Sequence, residues 1–386
     1  MSNRWPGKYV IGLTGNIATG KSVVRKMLEH LGAFTIDADA FAHQAMAKGG
    51  PAYAAVVKTF GEWLLTPEGE INRAYLARIV FAEPVALAKL EAILHPFVGQ
   101  AIDILLKRSK APVAVIEAIK LIESGLAKEC DALWVVNVPA PVQEARLIEK
   151  RKLSEAEAAM RIAAQPPQAD KLKAASMVID NSGTFEDTWT QVQAAFGRLT
   201  PPAGAPAAEA PAPAAAPAVP GAKEVKVRRG KPGDANAIAA FIQQVTRGQR
   251  SLTRADVMAA FGDKAYMLAD YDGQLGAIAG WKVENLVARV DEFYIAATTP
   301  LEQVASPLID AVENAARELQ CEAALVFVPT PLAQSAAQAL SGLEYAPQVL
   351  EKLGVAAWKE AAKESMPPDT ALLFKKLRED RVLKPI

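Results

Sequence analysis

Cysteine is nearly absent. Only Cys130 and Cys321 occur in 386 residues, too few and too far apart for a disulfide framework, and both are expected to be reduced. An excess of either charge is also missing: 43 Lys and Arg balance 43 Asp and Glu. No global field therefore draws the chain to nucleic acid or anionic lipid. Aromatic residues make up 6%, so much of the 51% hydrophobic fraction is alanine and says little about core size. Residues 1–8 contain no apolar run, which predicts no signal peptide. The longest uncharged stretch, Ala323 to Leu343, is broken by Pro329 and Pro331 and carries Gln334, Ser335 and Gln338, features a lipid-facing helix does not favour. These absences predict a soluble cytoplasmic protein whose partners include neither nucleic acid nor membrane.

Proline and alanine, by contrast, are concentrated in one place. Residues 201–222 read PPAGAPAAEAPAPAAAPAVPGA, a segment whose repeated prolines remove backbone donors and favour extended polyproline conformations, which predicts a semi-rigid spacer. It divides the chain into two domain-sized parts, 1–200 and 223–386. A structureless loop of that length inside one compact domain would be unusual.

The first part alternates short apolar runs with helical stretches. Strands are expected at Tyr9 to Thr14, Phe34 to Asp37, Val113 to Glu117, Leu133 to Val138 and Met177 to Asp180. Helices are expected at Lys21 to Leu31, Asp39 to Ala47, Val142 to Arg151 and Glu186 to Phe196. Such alternation predicts an α/β fold with a mostly parallel sheet and ligands at the carboxyl ends of its strands.

Gly15-Asn16-Ile17-Ala18-Thr19-Gly20-Lys21-Ser22 fits G-x-x-x-x-G-K-[ST] directly after an apolar strand and directly before a helix, the context the pattern requires. Its glycines let successive N–H groups turn inward around phosphate oxygens, and the helix N-terminus adds its positive dipole end. Lys21 is expected to reach the β- and γ-phosphates of ATP, and the Ser22 hydroxyl to hold magnesium. The next strand ends in Asp37-Ala38-Asp39, which places two carboxylates near the loop. Either aspartate is also a good cap for the helix that follows. Leu94-His95-Pro96 reads as the end of one helix and the start of another. A phosphate loop alone fits any small kinase, including one with a nucleoside or nucleotide acceptor.

The ordered series narrows this. GLTGNIATGKS at 12–22, IDADAFAH at 36–43, LHP at 94–96, LIESGL at 121–126, QEARL at 143–147, RIAAQ at 161–165 and VIDNSG at 178–183 resemble the dephospho-coenzyme A kinases, over about the first 197 residues. The resemblance implies a P-loop kinase with a helical lid that uses magnesium ATP to phosphorylate the 3′-hydroxyl of dephospho-coenzyme A, the last step of coenzyme A synthesis. It makes Asp39 the general base, a role that needs only hydrogen-bond reach of the hydroxyl, with Lys21 on the transferred phosphoryl. Gly15, Ala18, Thr19, Gly20, Ser22 and Val23 become the ATP loop, Arg146 with Lys150 or Arg151 the lid cations, and Asn181 a neighbour of the adenine. Asp37, His95, Glu117 and Lys120 fall on the acceptor side. The chain departs from the family's R-x-x-x-R-D where it reads Arg146, Lys150, Arg151, and a lysine cannot fork onto two phosphate oxygens as arginine does.

The second part predicts an α+β fold: a strand at Val225 to Arg229, a helix to Gln244, and strands at Tyr266 to Asp270, Leu275 to Val283 and Val287 to Ile295. A helix at Ser306 to Leu319 and strands at Ala324 to Val328 and Ala371 to Lys375 complete it. The order resembles the GNAT acetyltransferase superfamily over roughly 224–379. In that family a Q/R-x-x-G-x-G/A loop holds the pyrophosphate of acetyl-coenzyme A; here Pro300, Gln303 and Ala305 stand at its places, without a glycine to allow close approach. Ser306-Pro307 instead reads as N-cap and first helical residue. The second part is thus expected, without the usual loop, to bind a protein partner, to sense a coenzyme A species such as acetyl-coenzyme A, or only to aid solubility or assembly, active N-acetyl transfer being the alternative. Glu292 and Tyr294 are its candidate polar residues.

Overall fold

The computed structural model describes residues 4–199 and 224–379, which fall into two compact units. The spacer expected at 201–222 lies outside the described residues. In the first unit β1 (Tyr9–Thr14), β2 (Phe34–Asp37), β3 (Val113–Glu117), β4 (Ala132–Asn137) and β5 (Met177–Asp180) form one sheet in the order β2-β3-β1-β4-β5. Every neighbouring pair is parallel, as expected. Parallel neighbours need crossovers. Helix α1 (Lys21–His30) follows β1, and α2 (Ala38–Met46), α3 (Tyr53–Phe60), α4 (Arg73–Ala82) and α5 (Pro84–Arg108) lie between β2 and β3. Then α6 (Ala140–Arg151), α7 (Glu155–Ala163) and α8 (Gln168–Ala174) link β4 to β5, and α9 (Phe185–Phe196) closes the unit.

Two of the buried clusters among the described residues matter for the site. Val24, Met27 and Leu28 of α1 and Val192 and Ala195 of α9 pack on Ile11, Leu13, Val115, Trp134 and Val136 of the sheet, each large aliphatic side chain contributing about 1.5–3 kcal/mol. Ala45, Val56, Leu76, Leu90 and Leu94 join α2 to α5 in a separate helical cluster. The strand register sets up the site: Glu117 lies beside Leu13 on one side and Asp37 on the other. β1, β2 and β3 therefore end level, and the turn leaving β1 emerges next to two carboxylates.

The helix break expected at Leu94-His95-Pro96 does not occur. α5 runs through Pro96 for 25 residues. Proline deprives the carbonyl of Ala92 of its helical donor, but Ala92, His95 and Pro96 are exposed, where water replaces that bond. Leu90, Leu94, Ala101, Ile102 and Leu105 keep one continuous buried stripe. By length and composition α5 is also long and apolar enough to cross a membrane, and 28% of its apolar window is buried inside the protein. Toward its far end Asp103 accepts hydrogen bonds from Arg4 Nε at 3.2 Å and Trp5 Nε1 at 2.8 Å.

The second unit is built on a seven-stranded sheet. Its strands are β6 (Val225–Arg229), β7 (Ala265–Tyr271), β8 (Gln274–Glu284), β9 (Val287–Ile295), β10 (Ala323–Pro329), β11 (Ala346–Gln348) and β12 (Thr370–Lys376), in the order β11-β12-β10-β9-β8-β7-β6. All pairs are antiparallel except β9 and β10. Helices α10 (Ala235–Val245) and α11 (Arg254–Ala260) follow β6, α12 (Leu301–Glu318) joins β9 to β10, and α13 (Ala333–Ala339) and α14 (Ala356–Ser365) precede β11 and β12. One face of the sheet buries Val304, Leu308, Ile309 and Val312 of α12, and the other buries Trp358 and Ala362 of α14.

α12 corrects a second expectation. It begins at Leu301 with Pro300 as N-cap, so Ser306-Pro307 lies inside it. The apolar spacing Val304, Ala305, Leu308, Ile309 carries the helix through Pro307, and Gln303, whose carbonyl loses its donor, is exposed. Residues 301–305, aligned above with an anion-binding loop, are the first helical turn.

Candidate active site

Residues 15–20 wrap from β1 into α1. Gly20 caps the helix with φ 91° and offers no side-chain cap, and the first turn contains no acidic residue. The open N–H groups and dipole of α1 are thus left to an anion. Only glycine fits this position: a Cβ on Gly20 would stand 2.0 Å from Asn181 Nδ2. Lys21 is buried, with Nζ donating to the Asn16 carbonyl at 3.3 Å. Burial pulls its pKa down, opposed by the negative charges of Glu117, Asp39 and Asp37. Ser22 is exposed at the start of the helix, with Val23 partly exposed beside it.

The two aspartates separate into different tasks. Asp37 caps α2, Oδ1 accepting the Ala40 N–H at 2.9 Å. Asp39 is released from capping; its Oδ2 accepts the Ile119 N–H at 3.0 Å, and Oδ1 takes no hydrogen bond from any described residue. Burial, then the charge of Asp37, push the Asp39 pKa up. Glu117 is buried, its pKa raised by burial, and its Oε2 accepts from Arg25 Nε at 2.6 Å. Arg25 also reaches Asp37 at 3.8 Å. Thus Lys21, Asp37, Asp39 and Glu117 are brought together, along with Arg25, which the motif reading did not single out.

His95 and Lys120 are less closely involved. Lys120 Nζ pairs with Glu91 Oε1 at 2.7 Å, and exposed His95 lies one helical turn further along α5.

On the opposite side, the segments between β4 and β5 grip the loop. Gln143 Nε2 donates to the Ile17 carbonyl at 2.7 Å, and the Ile17 N–H is taken by Gln165 Oε1 at 2.8 Å. Gln168 Oε1 accepts the Asn16 N–H at 3.1 Å while its Nε2 donates to the Val136 carbonyl at 3.0 Å. Arg146 donates to the carbonyls of Ala18 and Thr19, both at 3.4 Å, and of Asn181 at 2.7 Å; burial lowers its pKa. Asn181 Nδ2 donates to the Thr19 carbonyl at 2.8 Å, and its Oδ1 accepts from Thr188 at 2.9 Å. Arg146 and Asn181 therefore brace the loop backbone. The side chains of Lys150 and Arg151 lie outside the described residues.

Lys171, like Arg25 and Gln168, is a site residue that motif reading missed. It is 1% exposed, and Nζ donates to the Ile119 carbonyl at 2.6 Å and pairs with Glu123 at 3.0 Å. In sequence it sits in QADKLKA beside exposed Lys173, and nothing in the spacing separates the two lysines.

In the second unit, Glu292 is buried and paired with Arg250 at 2.8 Å and Lys264 at 3.3 Å. Arg250 also donates to Tyr294, and Lys264 pairs with Asp291 at 2.8 Å. Gly280 makes room: a Cβ there would stand 2.8 Å from Glu292 Oε2. The expected pair Glu292 and Tyr294 is thus joined by two cations that were not expected. β9 and β10 pair only from Val287 to Val290, whereas β9 continues to Ile295.

Residues 9–187 match the family model described as dephospho-CoA kinase. A dephospho-CoA kinase of Geobacter metallireducens is 47% identical over 188 residues, covering 48% of this chain and 94% of its own length. That of Geobacter sulfurreducens is 42% identical over 195 residues, covering 50% and 99%. Among solved structures, a GNAT-family acetyltransferase of Staphylococcus aureus Mu50 covers 40% of this chain and 100% of its own, at 11% identity and a TM-score of 0.32. With the Geobacter relatives matched almost end to end, the chain belongs to the dephospho-CoA kinase family.

Proposed function

We propose that the first unit transfers the γ-phosphoryl group of ATP to the 3′-hydroxyl of dephospho-coenzyme A, with Asp39 as general base and Lys21 on the transferring phosphoryl. The observation that carries this reading is the division of labour between the aspartates. Asp37 is spent on the helix cap, while Asp39, held through Oδ2 by the Ile119 N–H, keeps Oδ1 for the attacking hydroxyl. The raised pKa supports the same role, because a stronger base accepts the hydroxyl proton more readily. Lys21, buried beside three carboxylates whose charge opposes the downward pull of burial on its pKa, offsets charge that develops on the phosphoryl oxygens. Asp37, Glu117, Lys120 and His95 belong on the acceptor side of this scheme. Arg146 with Lys150 or Arg151 belongs on the ATP side, where a closed lid excludes water.

Magnesium suits these residues. Ser22 is exposed at the start of α1, directly after the phosphate loop, a place that suits an ion carried by one or two protein oxygens, water and substrate phosphates. The Ser22 hydroxyl is the protein ligand we assign. A magnesium ion held there would supply positive charge to the phosphates of ATP. Cys130 and Cys321 are both thiols rather than disulfide sulfurs, in keeping with a cytoplasmic setting.

The test is ATP-dependent 3′-phosphorylation of dephospho-coenzyme A by the full chain and by Lys21→Ala. Turnover by the first and none by the second is expected. Preference for a nucleoside or nucleotide acceptor would overturn the assignment.

For the second unit we infer an extended, amide-bearing ligand, acetyl-coenzyme A or a peptide of a protein partner. The parting of β9 from β10 after Val290 favours it, since a parallel pair that opens leaves strand backbone available to a ligand. Active N-acetyl transfer has less support, because α12 already begins at Leu301 and places Glu302 in its first turn, against an anion. Equilibrium binding of acetyl-coenzyme A to residues 223–386 tests the coenzyme version; no binding at millimolar ligand would sink it.

A further inference from the structure

Residues 165–171 form a strap between the two halves of the kinase site. At one end Gln165 and Gln168 accept the N–H groups of Ile17 and Asn16, and the Asn16 side chain donates to the Pro166 carbonyl at 3.0 Å. These bonds tie the strap to the phosphate loop. At the other end Lys171 Nζ donates to the Ile119 carbonyl at 2.6 Å, a carbonyl that also accepts from Thr14 Oγ1 at 3.1 Å. The N–H of the same residue, Ile119, is the donor that holds Asp39. Two successive peptide planes meet at the Ile119 Cα, and with the carbonyl plane held by the ammonium only the φ and ψ of Ile119 are left to turn the N–H plane that meets Asp39.

Burying an ammonium is costly unless it is paired and hydrogen-bonded, and apolar replacement of such pairs is often neutral or stabilising. A lysine that is 1% exposed and fully engaged between Glu123 and a carbonyl therefore calls for a reason beyond packing. Its charge is felt at the loop, where it opposes protonation of Lys21.

We propose that Lys171 is a positioning residue for phosphoryl transfer. It acts through the Ile119 backbone to aim the Asp39 carboxylate, and the strap keeps that aim in register with the phosphate loop. The proposal rests on Asp39 being the base.

The test is a double-mutant cycle on the full chain, with kcat and the KM for ATP measured separately. Lys171→Met is expected to lower kcat about 10- to 100-fold while the KM for ATP stays within about twofold, and Lys171→Arg, which keeps a buried donor, to recover most of the loss. In an Asp39→Asn background Lys171→Met should cost less than about twofold more, since residues acting through one group are not additive. Full additivity, unchanged kcat in Lys171→Met, or an equal loss in Lys171→Arg would overturn it. Should the methionine protein fail to fold, Glu123→Ala at the exposed end of the pair serves instead: a severalfold fall in kcat at constant KM supports the proposal, and no change defeats it. Near-normal turnover by Asp39→Asn alone would be a failure of the base assignment, and is thereby distinguished from failure of the strap.

Discussion

Asp39 Oδ2 accepts the backbone N–H of Ile119 at 3.0 Å, from a residue 80 positions away. The bond joins the start of α2 to the turn leaving β3 and fixes one oxygen of the carboxylate while the other stays open. Catalytic roles in this site are therefore separable by substitution.

Asp39→Asn preserves an acceptor for Ile119 and removes the carboxylate proposed as the base. Turnover of dephospho-coenzyme A is expected to fall about 10²–10⁴-fold with the KM for ATP nearly unchanged. Steady-state kinetics with each substrate varied in turn measures both, and a rise in the KM for ATP matching the fall in kcat would place Asp39 in ATP binding.

The pH dependence follows from burial. Asp39 must be ionised to accept a proton, and its pKa is raised by burial and then by Asp37. The acid limb of kcat/KM should therefore lie above the ordinary aspartate value of about 3.9. A limb at or below that value would contradict the assignment.

The same shift has a stability consequence of opposite sign to the usual carboxylate. Because the folded state binds the Asp39 proton more tightly than the unfolded chain, the gain is present below the unfolded pKa and lost as pH rises through the raised folded value. Asp39→Asn should then raise Tm at pH 7 more than at pH 4, as read by thermal melts.

Gly20→Ala puts a methyl group 2.0 Å from Asn181 Nδ2 at a φ of 91°. Stability should drop by about 1–3 kcal/mol, and the KM for ATP should rise because the loop N–H groups lose their alignment. Unfolding titrations and ATP kinetics test the two effects separately; a protein unchanged in both would mean that Asn181 can withdraw freely.

A fragment of residues 1–200 contains every residue of the kinase site, and its relatives end at about that length. It should retain kcat/KM within about twofold of the full chain. A larger loss would assign the second unit a part in the chemistry.

How much of this was legible in the sequence depends on whether the evidence was local. The phosphate loop and β9 (Val287–Ile295) follow from spacing alone, and each was placed where it occurs. Two prolines were over-read. Pro96 and Pro307 each cost a helical bond, but the buried stripes on α5 and α12 continue past them and the deprived carbonyls belong to exposed residues. Local chemistry also leaves open which of Asp37 and Asp39 caps α2; the choice is settled by Ile119, to which no neighbouring residue points. Lys171 was illegible for a related reason, since its burial is created by β3 and the following turn rather than by its own helix.

The unbroken course of α5 joins two places that sequence keeps apart. His95 and Asp103 ride on one rigid rod, about 12 Å apart at 1.5 Å per residue, and Asp103 is clasped by Arg4 and Trp5. Arg4 and Trp5 thus act as a mooring for the helix that carries His95, so a change made at that pair would be felt on a surface of the enzyme about two helical turns away.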